Sequence, residues 1–176
     1  MKYPLIALLF AAGCSNVVPS AVARLYALSP MEADPSDIAV ALDLPDGIGV
    51  RPQSAKLTLT ATRTDTDQTS AGTYILSASP GSDGSTVYAV ADSDFERLRA
   101  QQSLIRGWKE VADDATSGSL SVGLEGCAIG AGPTPDAVIS INMRTAQDGA
   151  FFPLIRNALV TEVLDLADAD ALKPCD

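Results

Sequence analysis

The chain has 176 residues, 47% hydrophobic and 19% charged, a balance that belongs to a globular chain and not to a disordered one. Its 22 acidic residues outnumber 12 basic ones for a net charge of −10, which repels nucleic acid and anionic lipid head groups. Histidine is absent, which excludes Ser-His-Asp and Cys-His catalysis in their usual form and His-based zinc or iron sites.

Residues 1–16 read MKYPLIALLFAAGCSN. Lys2 supplies a positive start, Leu5 to Ala12 an unbroken apolar run, and Gly13 a small residue before Cys14. These are the three regions of an export signal, and the run is far shorter than the roughly twenty residues that span a bilayer. With a cysteine at the cut site, the segment resembles the lipobox of bacterial lipoproteins, although Ala11 stands where that pattern prefers Leu or another aliphatic residue. The resemblance implies that residues 1–13 are a signal peptide and that Cys14 is acylated, palmitate being one such chain. More than one acyl chain makes such an attachment stable. Ser15, in place of Asp, implies onward transfer to the outer membrane, facing the periplasm. The alternative is a plain secretory signal cut near Ala12 or Gly13, with Cys14 incidental.

Residues 14–24, with Pro19 among small side chains, read as a tether, and residues 25–176 as one globular domain. Residues 25–28 are a short extended piece ended by Pro30, and residues 31–36 a loop. In residues 37–44, Ile38, Val40, Leu42 and Leu44 alternate with Ala39, Ala41 and Asp43, the period of a half-buried strand. Pro45, Asp46 and Gly47 turn the chain, and residues 49–52 stay loop. Residues 56–63 are a second strand, with Leu57, Leu59 and Ala61 inward and Thr58, Thr60 and Thr62 on a wet face. Residues 65–70 are a hairpin tip, 73–78 a third strand, 79–85 a loop and 86–91 a fourth strand. Strand and short loop in succession predict an antiparallel meander.

The period then changes. Ser93 and Glu96 match a capping box at the start of a helix over residues 94–113. Phe95, Leu98, Ile105, Trp108 and Ala112 fall at helical spacing, with Leu104 and Val111 beside them. Gly107 costs about 1 kcal/mol relative to alanine and marks a kink or a close approach to the sheet. Residues 119–124 are a fifth strand, with Leu120, Val122 and Leu124 inward and Cys127 at its end. An exposed loop over 128–136 leads to a sixth strand, 138–145, with Ile139, Ile141 and Met143 on one face. Residues 151–155 are a seventh strand with Pro153 at an edge. Asn157 caps a last helix reaching about residue 166, with Leu159, Val163 and Leu166 in one stripe. The expected fold is α+β: an antiparallel β-sheet of about six or seven strands with one long amphipathic helix and a short C-terminal helix.

With Cys14 taken by the anchor, Cys127 and Cys175 remain, and an isolated pair in an oxidising compartment bridges. The chain-entropy model gives about 4 kcal/mol for a loop of about fifty residues. A redox or metal pair is the alternative, but the spacing is not CxxC. No Ser-Lys pattern, phosphate loop or dinucleotide fingerprint is present; GCAIGAG, at 126–132, reads as loop after a strand. Asp113, Asp114, Glu125 and Asp136 are plentiful loop acids from which a glycosidase-like pair could be drawn. Asp165, Asp168 and Asp170 lack the glycine and final glutamate of a calcium loop. The one oddity of charge is Arg97, Arg99, Arg106 and Lys109, which gather on one helix of an acidic chain. They form a candidate interaction face, or else a solvated face stapled by pairs such as Arg106 with Glu110. Trp108 is expected in the core and not on a sugar.

Leu25-Tyr26-Ala27-Leu28-Ser29-Pro30 is similar to the Tyr-Leu-Pro opening of auxiliary lipoproteins of envelope transport systems, which implies an accessory of an inner-membrane transporter. The expectation is a lipid-anchored envelope protein, a non-enzymatic interaction or structural module without cofactor or metal. It would be attached to the membrane through Cys14 and have an envelope protein as partner. The alternatives are a transport accessory and a carboxylate-dependent hydrolase.

Overall fold

The computed structural model describes residue 18 and residues 33–146, 148–163 and 172–175. The signal peptide, Cys14, most of the tether, the extended piece at 25–28, the proposed helix beyond Val163 and the acids Asp165, Asp168 and Asp170 lie outside the described residues.

Among the described residues nine strands and two α-helices follow in order: β1 (Ile38–Asp43), β2 (Ile48–Val50), β3 (Lys56–Arg63), β4 (Gln68–Pro80), β5 (Thr86–Val90), α1 (Phe95–Ala112), β6 (Thr116–Gly123), β7 (Gly126–Ala128), β8 (Val138–Thr145), β9 (Phe152–Leu159) and α2 (Val160–Val163). Seven strands make one antiparallel sheet in the order β6-β3-β4-β5-β1-β8-β9, and β2 pairs with β7 in a separate ribbon. The architecture is thus mostly sheet and broadly α+β. The expected meander holds only for β3, β4 and β5. β1 is inserted between β5 and β8, and β6 returns after the helix to the outside of β3.

One face of the sheet carries the core. In register across it stand Val122, Leu57 and Tyr74, then Leu76 beside Val90, then Tyr88, Val40 and Met143. Leu57, Leu59, Leu98 and Ile105 are fully buried, and burial of each such side chain contributes roughly 1.5–3 kcal/mol. The sheet curls into a half-barrel: Leu120, on edge strand β6, packs against the cluster of Ile38, Met143 and Phe152 from β1, β8 and the opposite edge β9. α1 lies within the curl against β3, β4 and β6 through Leu98, Ile105 and Trp108. β1 is buried on both faces and not on one, because Ala39 and Ala41 sit low between larger neighbours such as Arg144 and Val87.

Several local expectations are corrected. Residues 48–50 and 126–128 are strands, not loop, each held by the other. β4 is far longer than residues 73–78, since all of β3 and β5 pairs along it. Ser93 makes no capping box: it lies in a 3₁₀ turn, Asp92–Asp94, and Asp94 is the N-cap without a side-chain bond to a helix amide. Gly107 approaches nothing; a Cβ there would meet no atom within 4 Å. Leu104 and Val111 face solvent. β6 begins at Thr116, three residues before the strand expected over 119–124. Asn157 does not cap a helix. It lies inside β9 at φ +47°, at a bulge that asparagine tolerates, and its backbone N–H donates to Ser140 Oγ at 3.2 Å. Leu159 is accordingly a strand residue, and the helix starts at Val160. Pro153 does fall on an edge strand, where a missing N–H is tolerated.

Candidate functional site

The four cations of α1 do not form one free patch. Arg97 pairs with the Asp94 carboxylate, donates to Thr73 O at 3.2 Å and lies over the Tyr74 ring at 5.1 Å. Arg99 donates to both oxygens of Asp34, at 2.9 and 3.2 Å, and stands 3.5 Å from Glu96. Lys109 is 3.9 Å from Asp113. Arg106 makes no ion pair with Glu110 among the described residues. Three of the four positive charges are therefore matched within the chain, and the face is close to neutral.

The four loop acids stand on three segments, with Asp113 and Asp114 adjacent. Asp113, after α1, serves Lys109; Asp114 is exposed; Glu125, between β6 and β7, is 3.9 Å from Arg51; Asp136 precedes β8, where the Thr134 hydroxyl holds its carboxyl below the usual range. Among the described residues, no three His, Cys, Asp or Glu side chains gather as metal ligands. No described helix is long and apolar enough to cross a membrane. Trp108 is part of the main core cluster.

Cys127 and Cys175 are joined, with S–S at 1.94 Å and Cα atoms 4.9 Å apart. Cys127 lies in the separate strand β7 and not at the end of β6. The bridge is seconded by hydrogen bonds on either side. Ala128 N donates to Lys173 O and Cys175 N to Ala128 O, both at 2.9 Å, and the Arg51 guanidinium donates to Pro174 O at 2.8 Å.

The feature that the residues build together is an apolar trough of about 540 Å³ on the concave face of the sheet. Its floor is Ile38, Val40 and Leu42 of β1 with Ile139, Ile141 and Met143 of β8; Leu120, Val122 and Leu124 face them, and Leu154, Ile155 and Val163 close one side. Ala33 stands at its rim, tied to α1 by Gln102 Nε2 donating to its carbonyl at 2.9 Å. At roughly 24 cal/mol per Å³, an enclosed void of this size would cost as much as the whole stability of a domain. The trough is instead open: Val122 is 39% exposed and Leu120 is only part-buried.

Every apolar lining residue on β1, β6 and β8 was legible as inward-facing. The space between them was not. A signal for it did exist. Adjacent strands lie about 4.8 Å apart and a helix is about 10 Å across, so one helix covers about two strands of seven. The aliphatic stripes exceed what the Leu98, Ile105 and Trp108 stripe can cover.

Compared with known proteins, the chain matches no family model, no curated protein and no solved structure.

Proposed function

We propose that this chain is a lipid-anchored bacterial cell-envelope protein, held through Cys14 in the outer membrane facing the periplasm, and that it acts as a non-enzymatic interaction module. The observation that carries the reading is the open aliphatic trough. An open apolar cavity of this size marks a binding site, because a folded domain seldom leaves such a space unfilled beside its core. The export-type segment before Cys14 supports the location, and Val18 supports the geometry. Its amide donates to Leu154 O at 3.0 Å, so the chain four residues after Cys14 is fixed at the trough's side.

Two measurements test it. Intact mass of protein from a native membrane fraction should show a lipid-sized gain that Cys14→Ala loses; an unmodified chain starting near Cys14 would remove the anchor. A photo-reactive residue at Val122 should cross-link an envelope component in cells, while one at exposed Val111, on the outer face of α1, should not. Equal yields at the two positions would remove the trough as the working surface.

A further inference from the structure

We infer that the trough is an acyl-chain site, taking the uncharged alkyl part of a lipid or fatty acid. This rests on the reading of the trough as the working surface and adds the chemistry of its occupant. Apart from Thr145, every described lining side chain is aliphatic, a methionine or a Gly, with no aromatic ring and no charge. A planar ligand would have no ring to stack on. An extended peptide would bring amides that these side chains cannot pair, at a cost for each one buried away from the edge-strand backbone. An alkyl chain asks only for apolar surface. The floor is also long enough: Ile38 to Leu42 along β1 spans about 13 Å at strand spacing, and the volume falls within the roughly 300–1,000 Å³ of small-ligand cavities. Its position agrees. Four residues span at most about 14 Å, so Val18, bonded to the lining residue Leu154, keeps the trough close to whatever Cys14 carries.

The acyl chain has two sources, a separate lipid or the chain's own anchor, and the test separates them. cis-Parinaric acid, a fluorescent fatty acid, is titrated into the full chain carrying Cys14→Ala and into the acylated wild type. Saturable binding to Cys14→Ala is expected, weakened at least tenfold by Val122→Glu and unchanged by Val111→Glu. Val122 lies part-exposed on an edge strand, so the substitution leaves the core in place. Val122→Trp, which fills the trough without adding charge, should block the probe as well and guards against loss of folding in the first variant. Binding to both forms of Cys14 assigns a separate lipid; binding to Cys14→Ala alone assigns the anchor's own chain. Absence of saturable binding in both forms, or equal affinity in the Val122 variants, overturns the inference. A Val122 cross-link to a protein in cells would in that case leave the interaction module standing with a different occupant.

Discussion

Asp94 and Ile75 complete a strand that ends too early. β5 stops at Val90, opposite Leu76, and leaves both backbone groups of Ile75 without a strand partner on that side. Ala91 N donates to Ile75 O at 2.9 Å, and Ile75 N donates to the buried Asp94 carboxylate at 2.7 Å. The acid that opens the helix thus finishes the sheet, which is why it is not available to cap the helix. Asp94→Ala should orphan the Ile75 amide and free Arg97, at about 1–3 kcal/mol of stability. Thermal and urea unfolding of the variant would measure it; a loss below about 0.5 kcal/mol would show that water replaces the carboxylate.

A second polar contact holds α1 inside the curl. Gln101 is buried; its Nε2 donates to Leu59 O at 3.0 Å and Ser70 Oγ at 3.0 Å, and Tyr74 Oη donates to its Oε1. Gly72 leaves room for this pair, since a Cβ there would strike both the phenol and the amide oxygen. Gln101→Leu and Tyr74→Phe should each cost about 1–3 kcal/mol by stranding the other partner. In a double-mutant cycle the two should fall short of additivity, since both lose the same contact. Strict additivity would mean that the pair is not coupled.

These polar devices mark where sequence reading stops. β3 and β8 were legible to the residue because an alternating apolar pattern sets a strand by itself, as in Leu57, Leu59 and Ala61. β2 and β7 were not, since three residues carry no period and each strand exists only through the other. Gln101 sits on the inward stripe of α1 between Leu98 and Ile105, where periodicity expects an apolar residue, and only the strands opposite explain it. Asn157 read as a cap by residue type, although the same tolerance of left-handed backbone serves a bulge. The Cys127–Cys175 pairing followed from counting alone. The trough required knowing that β6 and β9, remote in sequence, curl toward each other.

The disulfide should matter for stability more than for the sheet. It closes a separation of 48 residues, for which the chain-entropy model gives about 4 kcal/mol as an upper figure. Cys127 and its partner hold residues 172–175 beside β7 of the separate ribbon, and Leu172 packs against the cluster of Ile139 and Ala158 without pairing with any strand of the seven-stranded sheet. Reduction, or Cys127→Ser with Cys175→Ser, should therefore lower the melting temperature while the far-ultraviolet dichroism of the native chain stays unchanged. Loss of the native spectrum at room temperature would show instead that the β2–β7 ribbon is needed for the sheet to form.

The rim of the trough carries an acid whose titration can be followed. Asp34 is held down to about 2, first by the Ser36 amide at 3.0 Å, then by the Ser36 hydroxyl at 2.7 Å, then by Arg99. Its folded value lies below that of an unfolded aspartate, near 3.9. The stabilising contribution is therefore complete above about pH 4 and is lost as pH falls from there through about 2. The pair with Arg99 is about half exposed, and water screens it. Carboxyl NMR should place the Asp34 midpoint near 2 in the wild type. In Arg99→Ala it should rise only part of the way, because the two Ser36 bonds outweigh the guanidinium. A wild-type midpoint near the ordinary value, or a complete return to it in Arg99→Ala, would show that the Ser36 turn does not hold the acid.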